Sequence, residues 1–214
     1  MSHRQAWTAG ESRRAAQSRA WKQSPPRRPT AWSAGDNGAV HPTVASVNTS
    51  RGGVPKTSVF EAFIADTGVS GDVQANTVHH GGPDRAVVLY SLDVIRALQA
   101  EGHPIGPGTT GENVTVSGVD WTSIVPGTRL QVGGALLEIT KYTTPCVKIA
   151  DSFLERAFIR IGQDQRPGWS RVCARVLEPG LVRPGDHVEV VGSAEHVATA
   201  RLRAFDDEKA PGTA

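Results

Sequence analysis

Between residues 44 and 191 the chain alternates short β-branched or aliphatic runs with glycine and proline turns, and this rhythm constrains its fold more than any other feature. Runs over residues 44–48, 58–64, 85–90, 113–116, 128–132, 136–140, 172–177 and 187–191 read as strands, because branched side chains fit a pleated, half-buried surface. Thr67-Gly68, Gly71-Asp72, Gly81-Gly82-Pro83-Asp84, Pro126-Gly127, Gly133-Gly134, Pro179-Gly180 and Pro184-Gly185-Asp186 punctuate them as turns. With 23 glycines and 14 prolines in 214 residues and 6% aromatics, a long helical bundle is excluded. One helix is predicted where Ser91 caps Leu92, Ile95 and Leu98 at helical spacing, with Asp93 in the first turn and Gly102 as the stop. A second, short helix is predicted over residues 151–161. The expected architecture is mostly β, a barrel with one or two short helices. No strand–helix alternation, internal repeat or GxGxxG points to a dinucleotide-binding fold.

The ends of the chain differ in texture from this middle. Residues 1–39 carry seven arginine and lysine residues against Glu11 and Asp36, a charge of +5; the rest holds 16 basic and 19 acidic groups, −3. The basic balance therefore belongs to the leader, and the folded part gives no reason to expect nucleic acid as a partner. Residues 1–43 are expected to be a disordered basic leader, since three tryptophans in an Arg-, Ser- and Pro-rich stretch bury too little surface to offset ordering entropy. The same composition also suits an organellar transit peptide or a translation start placed too far upstream. Residues 193–214 read as a loose tail, leaving a domain over residues 44–192. Two cysteines without metal-site spacing point to a reducing, cytoplasmic setting, and no apolar run approaches the ~18 residues of a membrane helix.

Three clusters could carry chemistry. In His79-His80-Gly81-Gly82-Pro83-Asp84-Arg85 the glycines allow backbone N–H groups near an anion, and Arg85 offers a bidentate fork; the bland alternative is a turn with a surface ion pair. Adjacent histidines on extended chain face opposite ways, so His79 and His80 do not readily share a metal. In Thr109-Thr110-Gly111-Glu112-Asn113, Glu112 and Asn113 at a strand mouth could read ligand edges, although such residues are also ordinary turn formers. In Thr143-Thr144-Pro145-Cys146-Val147-Lys148 the proline displays the thiol from a fixed loop, and Lys148 favours thiolate. Cys146 is read as functional. Cys173, alternating within a strand, is read as core. A cysteine hydrolase would need a base such as His79, His80, His103 or His187, but no hydrolase signature accompanies them, and GxSxG and HExxH are absent.

Taken together, these residues resemble the MOSC family, the domain at the C-terminus of molybdenum cofactor sulfurases. The stretch from Gly71-Asp72-Val73-Gln74 to Asp84-Arg85-Ala86 is similar to its stand-alone bacterial branch. The Gly111-Glu112-Asn113 strand entry, the Thr144-Pro145-Cys146-Val147-Lys148 loop and Arg175-Val176-Leu177-Glu178-Pro179-Gly180 through Pro184-Gly185-Asp186 follow in the family's order. The resemblance implies a MOSC-type β-barrel that binds the molybdenum cofactor (molybdopterin), with Cys146 as metal ligand. It also implies reduction of N-hydroxylated bases, with electrons from a separate donor protein. On that reading Gly81, Gly82, Asp84 and Arg85 hold the pterin phosphate, Glu112 and Asn113 its edge or the substrate, Lys148 steadies the thiolate, and His80 delivers a proton. Pyridoxal phosphate, also associated with the family, is not expected, because that association belongs to the sulfurase's other domain. Neither a membrane nor nucleic acid is an expected partner. The rival expectation is a sulfur carrier holding a persulfide on Cys146.

Overall fold

A computed structural model describes residues 41–73 and 82–192 of the chain. Eleven strands are found among the described residues: β1 (Thr43–Thr49), β2 (Thr57–Val59), β3 (Ala62–Ala65), β4 (Gly68–Val69), β5 (Val87–Ser91), β6 (Val114–Ser117), β7 (Arg129–Val132), β8 (Ala135–Tyr142), β9 (Val172–Glu178), β10 (Gly180–Val182) and β11 (Val188–Gly192). Eight form one sheet in the order β11-β7-β8-β9-β5-β6-β1-β2, and β10-β3-β4 form a small second sheet. The pairs are antiparallel except β5 with β6, which are parallel and joined through the helix α1 (Leu92–Ala100). The start of β1 bends back to the run-in of β11 through a Thr43–His187 bridge and the Val44 N–H to Asp186 oxygen bond of 2.8 Å. That contact gives the main sheet its barrel-like curl.

Period-two burial explains the main sheet. Leu130 and Val132 on β7, and Leu137 and Ile139 on β8, point into one apolar core with Val47, Leu89, Val114 and Val172. The helix forms as its sequence demands: Ser91 Oγ accepts the N–H groups of Asp93 (3.1 Å) and Val94 (3.3 Å), and Ile95 and Leu98 are buried. Gly102 ends it at φ +91°, a conformation that suits glycine.

Three expectations need correction. The run 58–64 is not one strand: the chain leaves the main sheet after β2 and enters the small sheet at β3, with Phe60 turned out to solvent between them. Residues 151–161 make no α-helix; three 3₁₀ pieces (Val147–Ser152, Leu154–Arg156, Phe158–Ile161) follow the chain instead, with Glu155 and Arg156 at positive φ. Arg85 does not open the strand: it closes a 3₁₀ turn (Pro83–Arg85) ahead of β5.

The small sheet docks where Gly180 lies against the β7–β8 turn, and the Gly134 N–H donates to the Leu181 oxygen at 2.9 Å. A Cβ on Gly180 would sit 2.1 Å from the Gly134 carbonyl carbon, with backbone on both sides unable to yield. Gly180→Ala should therefore cost about 3 kcal/mol or more, read as a lower urea midpoint at unchanged m.

Candidate functional site

Between β8 and β9 the chain makes a long excursion, closed at its neck where the Thr143 N–H donates to the Arg171 oxygen at 2.9 Å. Cys146 lies just inside it, in extended conformation at the start of the Val147–Ser152 turn, half-buried and with no side-chain capping bond. The excursion, the loop after β1, the start of β5 and the 110–113 loop enclose a cavity of about 350 Å³. Its lining includes five cationic side chains, Lys56, Arg85, Lys141, Lys148 and Arg171, against the single carboxylate of Asp72 among the described residues.

The sequence-predicted residues divide sharply here. Cys146, Arg85, Lys148 and Asn113 line the cavity. Gly82 stands at φ +98° before the 3₁₀ turn and a Cβ there would meet nothing within 4 Å, so its glycine is required by backbone angle, not by space. His79, His80 and Gly81 lie outside the described residues. Asp84 points away, exposed and paired with Arg175 at 3.2 Å, so the structure gives it a surface ion pair in place of a ligand contact.

Glu112 also departs from expectation. It is fully buried, is not among the lining residues, and accepts from the Gly108 N–H (2.5 Å), Thr110 Oγ1 (2.7 Å) and Thr115 Oγ1 (3.3 Å). Its oxygens are spent on its own loop and on Thr115 of β6, so it organises the 108–113 loop rather than reading a ligand. Asn113 faces the cavity, but its amide is equally committed: Oδ1 accepts the Val88 N–H at 3.2 Å and Nδ2 donates to Asp72 Oδ2 at 2.9 Å.

Several site residues escaped the sequence reading. Asp72 is a hub, accepting from the Ser50 N–H at 2.8 Å, from Asn113 and from the Lys56 ammonium. Burial holds the Lys56 pKa below the usual lysine value, opposed by Asp72 and then Glu112. Cys173 is buried on β9 as expected of a core thiol, yet it lines the same cavity as Cys146. Burial pushes its pKa up, and the charges of Lys141, Arg171 and Arg85 oppose that rise. A β-bulge between Ile139 and Lys141 breaks the alternation of β8 there, which is why pattern reading did not place Lys141 on this wall.

No histidine lines the cavity among the described residues. His103 packs on Phe153 away from it, and its Nδ1 accepts the Leu154 N–H at 3.0 Å. Burial, then the Arg160 charge, holds its pKa below the ordinary imidazole value, while Glu101 opposes. The neutral ring is the native form. Its stabilising contribution is complete above the unfolded pKa of about 6.5 and is lost as pH falls through the lower folded value. The fall in Tm from pH 7 to 5 should be shallower in His103→Asn, whose amide oxygen can accept the same N–H without titrating.

A family model for the MOSC domain matches residues 76–189. The chain belongs to the MOSC family. That family is associated with binding of the molybdenum cofactor. This MOSC chain is 32% identical over 127 residues to the uncharacterized protein YflK of Bacillus subtilis (strain 168), a match covering 58% of this chain and 56% of that one. It thus spans little more than half of that relative's length. It is 26% identical over 160 residues to the protein YiiM of Escherichia coli (strain K12), 70% of each chain. The fold is similar to the crystal structure of YiiM from Geobacillus stearothermophilus, with TM-score 0.55, 21% identity and coverage of 77% and 86%. It is similar to that of YiiM from Escherichia coli at TM-score 0.51, 25% identity and coverage of 77% and 79%. No helix among the described residues of this MOSC protein is long and apolar enough to cross a membrane.

The donor set fits the group that the family implies. A cavity with five cations, one carboxylate and a half-buried thiol suits an anionic, phosphate-bearing cofactor whose metal takes soft sulfur.

Proposed function

We propose that this protein is a molybdenum cofactor-dependent oxidoreductase that reduces N-hydroxylated bases, with Cys146 as the metal ligand. The observation that carries the proposal is the convergence of the Cys146–Lys148 loop and Arg85, two segments about sixty residues apart in the chain, on one cationic cavity. Arg85, behind the Gly82 turn, would pair with the pterin phosphate. The Cys146 thiol would hold the metal, with Lys148 lining the same cavity. When bound, the cofactor supplies the two-electron chemistry of N–O cleavage, while the protein orients the reactants and balances charge. His80 is proposed to deliver the proton, and a separate protein to supply electrons. Asp72 and Asn113 keep the cavity wall in place through their bonds to Ser50, Lys56 and Val88.

The test is turnover of an N-hydroxylaminopurine by protein made in a host that produces the cofactor, with an artificial electron donor. Product formation that tracks molybdenum content is expected. Failure to turn over any N-hydroxylated base despite a full metal load would sink the substrate assignment. A one-sulfur mass gain on Cys146 after incubation with a cysteine desulfurase, in protein that takes up no molybdenum, would establish the sulfur carrier instead.

A further inference from the structure

Arg171 is a cation in an unusual position. It is 7% exposed, and among the described residues no carboxylate lies within ion-pair distance of it. One hydrogen bond is made by its guanidinium, from Nη1 to the Thr110 oxygen. Its Nε is buried without a partner, and so is the hydroxyl of Thr143, the residue joined to it across the neck of the excursion. Both residues line the cavity. A buried charge with unspent donors is costly, and proteins retain one where something else supplies the missing acceptor. Glu112 lies near enough to favour the charge but spends its oxygens elsewhere.

The geometry of the guanidinium narrows what that acceptor is. With Nη1 engaged, the face left over is the Nε–Nη2 edge, two parallel N–H groups that match two oxygens of one anion. We infer that Arg171 and Thr143 form a second anion-binding subsite in the cavity, distinct from the Arg85 turn, which takes a two-oxygen anionic group of the substrate, a carboxylate or a phosphoryl or sulfuryl group. Arg171 and Arg85 lie toward opposite ends of the β5–β9 pair: Leu89 faces Val172, next to Arg171, whereas Val87, nearer Arg85, faces Ala174. Cys173 sits between the two cations and senses both. The subsite deepens the functional reading above, since it rests on this cavity being the working site; it assigns the substrate an acidic group alongside its N–O function.

Calorimetric titration of the full chain, made in a host unable to produce the cofactor, with acetate and separately with inorganic sulfate against a chloride background, tests the inference independently of metal loading. Saturable binding of at least one anion is expected. Thr143→Val and Arg171→Lys should each weaken it about tenfold or more, and Arg85→Gln less than about threefold. Tighter acetate would mark a carboxylate substrate and tighter sulfate a phosphoryl or sulfuryl one; both outcomes uphold the subsite. Thr143→Val keeps the test sound if Arg171→Lys fails to fold, because the hydroxyl it removes has no partner in the fold and its loss should leave the anion-free Tm unchanged. Binding of neither anion, or binding lost in Arg85→Gln and retained in Thr143→Val, would overturn the inference. Failure of this titration with molybdenum still retained by the wild type would leave the cofactor reading standing, and the converse result would leave the subsite standing.

Discussion

Cys146→Ala, purified beside the wild type from a host that makes the molybdenum cofactor, is expected to contain molybdenum at background level while the wild type approaches one metal per chain. The reasoning is chemical. Among the described residues Cys146 and Cys173 are the two free thiols. Cys173 is buried with its pKa raised, so it is the poorer thiolate and the poorer metal ligand. Cys146 is half-buried and lines the cavity, as does Lys148 two residues further along the chain. Metal content by elemental mass spectrometry should fall by more than about tenfold, since a thiolate–metal bond is worth far more than the ~1.4 kcal/mol that a tenfold change represents. Stability should change by less than about 1 kcal/mol, because the thiol makes no capping bond and is not in the core. Full metal in the variant would refute the ligand assignment; its loss together with a collapsed Tm would trace the effect to folding.

Glu112→Gln should destabilise the fold by about 2–4 kcal/mol, measured by urea unfolding, while the protein that does fold keeps its metal. The carboxylate accepts three hydrogen bonds in a site with no solvent exposure. An amide presents two donors where these partners also donate, and it removes the negative charge that favours both Arg171 and Lys56. The size of the loss separates two roles. A carboxylate that read the ligand would show the reverse pattern, with unfolding unchanged and metal or substrate affinity reduced.

Much of the fold was legible in the sequence because its causes are local. Ser91, Asp93 and Gly102 specify the ends of α1 through capping and a positive φ, and both act within a few residues. Strands β1, β6, β7, β8, β9 and β11 fall where branched runs between turns predict them, within one to two residues. The failures are equally instructive. Residues 58–64 have strand composition throughout, and nothing local marks Phe60 and Glu61 as the point where the chain changes sheets. Residues 151–161 carry apolar side chains at roughly helical intervals, but positive φ at Glu155 and Arg156 breaks them into 3₁₀ turns.

At the site the division runs along the same line. Cys146, Lys148 and the Arg85 turn could be singled out because proline, glycine and a neighbouring charge announce an exposed, shaped loop in one short stretch. Glu112 and Asn113 could be noticed but not interpreted, since a polar residue at a strand mouth reads alike whether it faces a ligand or its own backbone. Lys56 and Arg171 carry no local signal at all, and Asp72 and Thr143 entered only as members of a turn and of the cysteine loop; their significance lies in contacts that join segments tens of residues apart. Composition, turn chemistry and the order of four short motifs were enough for a mostly-β MOSC chain with a displayed thiol, because each of those properties depends on residues adjacent in the chain. The tertiary structure alone decided which charges share a cavity, which carboxylate is spent inside the wall, and which buried donors still lack an acceptor. Hydrogen bonds and charges act across space, and a linear sequence does not record which of its distant parts will meet.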